Sequence, residues 1–419
     1  MTVGFGPLDR CFDLVPLGSV ALAIKDGTHG THTRVREGVP FLSAKNISAA
    51  GAICWGEDDD RITESEYAFI HQTFRLEDCD LLLTIVGSLG RRAIYRGERV
   101  TFQRSVAYIR PDAKKCSERF LFHWFGHPCF QQELVRRSNA TAQAGLYLGE
   151  LAKVSVPKCP NKEQSQIARV LDTLDTTIRQ TEAIIAKLKQ VKQGLLHDLL
   201  TRGIDANGEL RPPQPQAPQL YKQSPLGWIP KGWDAVPVSE LAVNLDGMRV
   251  PIKEAERRFG VYPYYGASGI IDWVDAYILD GDFVLLGEDG ENVVSRNLPL
   301  AFRVTGKIWV NNHAHILEPK RGVDIRFLAE VLEAKDYGPW VSGSAQPKLT
   351  QDAMARISFL HPQGHEQTAI ADRLGALSCR ITAEQHELTK LRTAKLGLMD
   401  DLLTGRVRVT PLLEAATTQ

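Results

Sequence analysis

One long segment of this chain occurs twice, so whatever it folds into must itself be a duplication. The copies run EQSQIARVLDTLDTTIRQTEAIIAKLKQVKQGLLHDLLT from Glu163 and EQTAIADRLGALSCRITAEQHELTKLRTAKLGLMDDLLT from Glu366, an offset of 366 − 163 = 203. Glu163, Gln164, Ile167, Leu171, Lys192, Gly194, Asp198 and Thr201 are among the residues that recur at that offset without a gap. A period this long exceeds that of stacked solenoid units and indicates a doubled half-molecule.

Both copies read as helices with an apolar residue every three or four positions. The first seam is Ile167, Leu171, Leu174, Ile178, Leu188, Leu195 and Leu199; the second is Ile370, Leu374, Leu377, Ile381, Leu391, Leu398 and Leu402. A 3.5-residue apolar period sustained over several heptads is a coiled-coil signal. At ~1.5 Å per residue each helix extends about 57 Å. Thr181, Lys192, Glu384 and Lys395 interrupt the seam, which suits a register device or a partner contact better than a maximally stable zipper. Gly203 and Gly405 stand just past the last periodic residues, where a left-handed cap is wanted.

The duplication continues more faintly outside the helices. Phe12-Asp-Leu-Val-Pro16 resembles Trp233-Asp-Ala-Val-Pro237, and Gln103-Arg-Ser-Val-Ala107 stands where Asn311-Asn-His-Ala-His315 stands. Short β-rich runs (81–86, 100–109, 277–286, 308–317) alternate with helical stretches (120–137, 325–334), the pattern of mixed α+β domains. The expected organisation is a globular domain over 1–160, a central helix over 161–203, a proline-rich semi-rigid linker over 204–232, a second globular domain over 233–363, a helix over 364–405 and a tail over 406–419. The fold class is therefore α+β: two mixed α/β globular domains separated by a long antiparallel two-helix coiled coil, with pseudo-two-fold internal duplication. Such a body holds two unlike heads at a fixed separation. DNA readers of two-fold design contact half-sites ~34 Å apart or multiples of that, and unlike heads would read unlike half-sequences.

Composition narrows the function classes. Lys+Arg and Asp+Glu both number 50, so any polyanion site is local rather than a global field. No apolar run approaches the ~18 residues that span a bilayer. The seven cysteines are scattered and never spaced C-x-x-C, which favours a reducing cytoplasm over a disulfide framework or a zinc site. No phosphate loop, H-E-x-x-H, G-x-S-x-G or N-P-P-Y-like tetrad is present, so the sequence offers no catalytic residues of its own.

The strings PFLSAKNI, TIVGSLGRRAIY and FQRSVAYIRP of the first half, YYGASGIIDWVDAYILDGDFVLLGEDGEN and GKIWVNNHAHIL of the second, TRGIDANGELRPP, YKQSPLGWIPKGW and the two helices resemble the specificity (S) subunits of type I restriction–modification systems. The resemblance implies two target-recognition domains, each reading one half of a split asymmetric target in double-stranded DNA, with the helices fixing the spacer. It implies modification subunits, typically two, that use S-adenosylmethionine, and restriction subunits that use ATP with Mg. It assigns no catalysis, cofactor or metal to this chain.

Candidate DNA contacts are polar residues next to strand ends. In the first half these are Lys45, Asn46, Ser88, Arg91, Arg92, Arg104, Ser105 and Gln143. In the second they are Tyr264, Tyr265, Ser268, Asn292, Arg296, Lys307, Asn311, Asn312, His313, Ser344, Gln346 and Lys348. Arginine pairs with guanine, asparagine and glutamine with adenine, and lysine anchors phosphate. For each residue a plain solvated surface is the competing explanation. His313 and His315, two apart, also invite a metal reading, which lacks acidic or cysteine partners close in sequence. Glu288 and Asp289 find no role beside phosphate. A coiled-coil scaffold joining two proteins without DNA readout is the alternative of a different class.

Overall fold

The computed structural model describes residues 12–138, 145–343 and 346–417. The first globular region contains β1 (Leu14–Pro16), β2 (Ala21–Asp26), β3 (Val39–Leu42), β4 (Arg61–Ile62), α1 (Glu64–Ile70), β5 (Leu81–Thr84), β6 (Arg92–Ile94), β7 (Thr101–Phe102), β8 (Val106–Pro111), α2 (Glu118–Phe125), α3 (Pro128–Arg137), α4 (Leu148–Leu151) and β9 (Ser155–Pro157). The long helix α5 (Asn161–Thr201) follows. The second region contains β10 (Tyr221–Ser224), β11 (Gly227–Pro230), β12 (Asp234–Pro237), α6 (Val238–Leu241), β13 (Ala242–Asn244), β14 (Phe259–Gly266), β15 (Gly269–Val274), β16 (Leu279–Gly287), α7 (Asn292–Ser295), β17 (Ala301–Val310), β18 (Ala314–Pro319), α8 (Ile325–Ala334), α9 (Gln351–Arg356) and β19 (Ser358–His361). The second long helix α10 (Gly364–Leu403) and the short α11 (Thr410–Thr417) complete the chain.

The chain divides into two compact units, Met1–Glu182 with His386–Gln419, and Ala183–Gln385. Each unit therefore contains one globular region and half of each long helix. In the first, Asp175 and Glu182 of α5 meet Lys395 and Arg392 of α10, and Glu163 at the start of α5 meets Arg408 just past the end of α10, so rising numbers on one helix meet falling numbers on the other. In the second, Leu199 near the end of α5 shares a core with Ile370 and Leu374 near the start of α10. The helices pair antiparallel in both units, as expected from the pseudo-two-fold duplication. Ile167, Leu171 and Leu199, and Ile370, Leu374 and Leu402, are buried because globular side chains close over them as well. Leu174, Ile178, Leu188, Leu377, Ile381 and Leu391 are half-buried, as expected along a two-helix seam, and Leu195 and Leu398 are half-buried against the two cores. Gly203 and Gly405 adopt the expected left-handed φ of 61° and 78°.

The two units repeat one another in detail. Sheet order is β2-β8-β5-β6 with a separate β4-β3-β7 in the first, and β13-β18-β16-β17-β14-β15 in the second. The single ten-residue strand β17 does what β6 and β7 do separately; Gly306 within β17 and Gly97 in the interruption both have a left-handed φ, 82° and 93°. The helix-start glutamines make the same contacts. Gln164 accepts from Ser117 N (2.7 Å) and donates to Lys115 O (3.0 Å); Gln367 accepts from Asp324 N (2.9 Å) and donates to Gly322 O (3.3 Å). Glu163 is paired by Arg408 and Glu366 by Arg211.

Several expectations change. The 120–137 stretch is two helices, because Pro128 has no N–H to continue α2 and instead starts α3. The linker region is not an open spacer: β10 and β11 form a hairpin, and Tyr221 and Ile229 are buried. The tail likewise belongs to the first unit, where Val409 enters the core. The apparent strands 100–109 and 308–317 each contain a tight turn, at 103–105 and at 311–313.

Candidate nucleic-acid interface

In the first unit β7 lies parallel to β3, with Phe41 opposite Thr101 and Leu42 opposite Phe102. The chain then turns through Gln103, Arg104 and Ser105 into β8. The backbone of this turn is engaged nearby: Gln103 N donates to Leu42 O (2.8 Å), Arg104 N to Thr28 O (3.1 Å), and Ser105 O accepts from Ile85 N (2.9 Å). The Ser105 hydroxyl accepts from Ala44 N at 3.1 Å. A Cβ on Gly27 would lie 2.2 Å from Phe102 O, so only glycine lets the 27–30 loop approach this turn. Arg104 alone among the three is exposed, and its guanidinium has no partner among the described residues.

The other candidates of this unit are mostly held in place. Asn46 is buried, accepts from Ser43 N (3.0 Å) and donates to Cys54 O (3.0 Å), so its amide supports the loop and cannot reach a base. Arg92 is likewise structural: it donates to Phe122 O at 2.6 Å and lies over the Phe122 ring, and burial lowers its pKa to about 10. Arg91 donates to Ile47 O (3.2 Å), and Ser88 offers its carbonyl to Thr84. Lys45 is exposed and pairs with Asp59 at 2.8 Å. Gln143 lies outside the described residues.

The second unit builds the same turn by other means. Parallel pairing of β14 with β17 sets Tyr264 opposite Trp309 and Tyr265 opposite Val310, and Asn311 N donates to Tyr265 O at 3.0 Å. Asn311 is buried, and its side-chain oxygen accepts from His313 N at 2.8 Å, closing the turn. Arg249 reaches in from the preceding loop and donates to Asn312 O (3.3 Å) and Ala314 O (3.1 Å). Asn312 is exposed and its side chain is free of hydrogen bonds among the described residues.

Behind this turn lies a buried cluster of charges. Arg249 pairs with Glu288, and Lys348 reaches the same carboxylate at 2.9 Å. His315 faces Asp246 through Nδ1 (2.6 Å) and donates from Nε2 to Leu349 O (2.8 Å). Burial opposes ionisation of Glu288 and Asp246, but the bonds from Arg249 and Lys348 in one case and His315 in the other outweigh it and hold both pKa values low. Asp246, Glu288 and His315 are close enough to suggest a metal site. The residues do not fit one: Arg249 occupies both carboxylates, and neither ring nitrogen of His315 is turned to an open position. The cluster instead fixes the turn and the 346–349 segment, which gives Glu288 the role that the sequence did not supply. His313 and His315 do not share a site, since His313 is exposed and pairs with Asp289 at 2.9 Å.

Of the remaining candidates, Tyr264 is buried with its hydroxyl accepting from Ile252 N (3.0 Å), and Tyr265 is half-buried beside Phe302. Asn292 donates to Leu298 O (3.1 Å) and touches Ser268 at 3.4 Å. Arg296, at a left-handed φ of 55°, binds Glu333. These five are structural supports. Lys307 lies over the Tyr277 ring at 4.7 Å on β17, away from the turn. Gln346 is exposed, and Ser344 lies outside the described residues. Sequence reasoning missed Asp246 and Arg249, which act across tens of residues of chain with no local signal.

Comparison with known proteins agrees with this doubling. The family model for the type I restriction modification DNA specificity domain matches twice, over residues 29–190 and 230–393. A putative type I restriction enzyme specificity subunit of Haemophilus influenzae is 36% identical over 148 residues, 35% of this chain and 38% of that protein. The putative MjaX specificity subunit of Methanocaldococcus jannaschii is 23% identical over 439 aligned residues, 96% of this chain and 95% of that one. Among solved structures, the S subunit of a type I restriction-modification system from M. genitalium superposes with a TM-score of 0.63 at 15% identity, covering 94% of this chain and 96% of that one.

Proposed function

The chain belongs to the type I restriction-modification DNA specificity family, and from that premise we propose that each unit reads one half of a bipartite, asymmetric target in double-stranded DNA. The observation that carries this reading is a like frame with unlike turns. The two units agree in strand pairing and helix anchors, yet they present Gln103-Arg104-Ser105 in one and Asn311-Asn312-His313 in the other. Identical heads would suit a palindrome; these suit two different half-sequences.

The long helices act as the ruler that sets the spacer, and their exposed faces, with the globular helices, dock two modification subunits. Adenine methylation then occurs on those subunits with S-adenosylmethionine, and restriction subunits using ATP and Mg join the same assembly. This chain supplies recognition without chemistry, in the cytoplasm where the chromosome is. Its zero formal charge supports sharing the phosphate contacts with partner subunits. No helix among the described residues is long and apolar enough to cross a membrane.

The test is co-expression with a modification subunit, followed by mapping of methylated adenines in the host genome. A single split motif with two unlike halves is expected. A continuous or palindromic motif, or none that depends on this chain, would favour the protein-scaffold alternative.

A further inference from the structure

Recognition needs a side chain that is free to meet a base on a backbone that is not free to move. Resting on the specificity-subunit reading, we propose that Arg104 and Asn312 are the corresponding base-reading residues of the two units, Arg104 for a guanine and Asn312 for an adenine. Three observations converge on this pair.

First, they occupy the same position. Arg104 is two residues past Phe102, the last residue of a strand paired in parallel with β3. Asn312 is two residues past Val310, the last residue of a strand paired in parallel with β14. In both, the residue before donates its N–H to the neighbouring strand, Gln103 to Leu42 and Asn311 to Tyr265.

Second, the backbone at both positions is clamped by unrelated devices. Arg104 N is held by Thr28 O at 3.1 Å, and the turn beside it by the Ser105 hydroxyl. Asn312 O is held by Arg249, itself fixed by Glu288 and Asp246 in the buried cluster. Burying Asp246, Glu288 and His315 together with the largely buried Arg249 is a poor route to stability, whereas specifying one local conformation is an attested use for such groups.

Third, the two side chains are exposed and unengaged among the described residues, while most of the candidates around them are engaged; Gln346 is exposed too but is not part of the clamped turn. Asn46, Arg91 and Arg92 bond inward in the first unit, as Asn311 does in the second, where the exposed His313 and Lys348 are paired with Asp289 and Glu288. The chemistry of what remains is selective. A guanidinium fork matches O6 and N7 of guanine, and a carboxamide matches N6 and N7 of adenine.

The experiment uses the full chain assembled with its modification subunits, methylating a duplex library randomised in both halves of the target. In R104A one guanine position of one half should lose its preference by about tenfold to a hundredfold, with the other half intact. In N312A one adenine position of the opposite half should relax to the same extent. R104Q replaces the fork by a carboxamide, so preference at the same position should relax or move towards adenine; this variant decides the matter if R104A abolishes methylation. A uniform fall in rate with both halves still read in full would mark phosphate anchoring and overturn the proposal, as would relaxation spread over both halves. A wild-type assembly with no bipartite target would instead remove the underlying reading, and this inference with it.

Discussion

Glu366 closes the second unit, and its removal gives a prediction whose size follows from burial. The carboxylate is buried and accepts from Ile204 N (2.8 Å), from both Arg211 nitrogens and from Trp233 Nε1 (3.0 Å). Glu366→Ala leaves a guanidinium only 18% exposed without a counter-charge, and an indole N–H without an acceptor. Breaking a buried pair from one side costs about 3–5 kcal/mol. For a unit of this size that corresponds to a melting shift of about 10 °C. Glu163 is the internal control, because its partner Arg408 is 42% exposed and can be rehydrated when the pair is broken. Glu163→Ala should therefore cost only about 1–2 kcal/mol. Calorimetry gives the shifts, and hydrogen exchange assigns each loss to its own unit. Equal effects, or a shift under about 2 °C for Glu366→Ala, would refute the reasoning that burial separates the two sites.

Other consequences are direct. Deleting 181–187 removes one heptad of α5, about 10 Å of helix or ~3 base pairs of duplex; methylome mapping should then show an altered spacer or no activity, with neither half-sequence changed. Gly203→Ala forces a Cβ to 2.2 Å from the Glu366 carboxylate at a φ of 61°, so it should destabilise the second unit by more than about 1 kcal/mol in denaturant titrations. Acid should weaken the first unit. Burial lowers the pKa of His123 below its ordinary 6.5 against the bond to Asp172. The unfolded chain therefore takes up that proton first, and stability falls as pH drops below that value. Burial opposes ionisation of Asp172, but the bonds from His123 and Arg119 hold it at about 2, so its contribution is intact above pH ~4 and lost towards pH ~2. His123→Asn should flatten the first part of that pH profile.

The duplication, the helix pairing and the capping glycines were legible because each follows from local periodicity or from a residue type with one conformational use. Ile325–Ala334 forms a helix as its apolar pattern implies. The turns at 103–105 and 311–313 read as continuous strand, because β-rich residues flank both and no glycine or proline marks the break; Asn311-Asn312 is the local turn signal in the second, and Gln103-Arg104-Ser105 offers a weaker one. What bends them is tertiary: the parallel partners β3 and β14 and, in the second unit, Arg249. For the same reason the list of polar strand-end residues was too broad. Asn46, Arg92, Tyr264 and Asn311 look from sequence like Arg104 and Asn312, and only burial separates them.

The central claim is that each unit reads its own half-sequence. Replacing residues 233–363 with the corresponding segment of a relative, then sequencing methylated sites from the assembled complex, tests it most directly. The account predicts one new half-target, one unchanged half-target and the same spacer. A motif altered in both halves, or in neither, would contradict it.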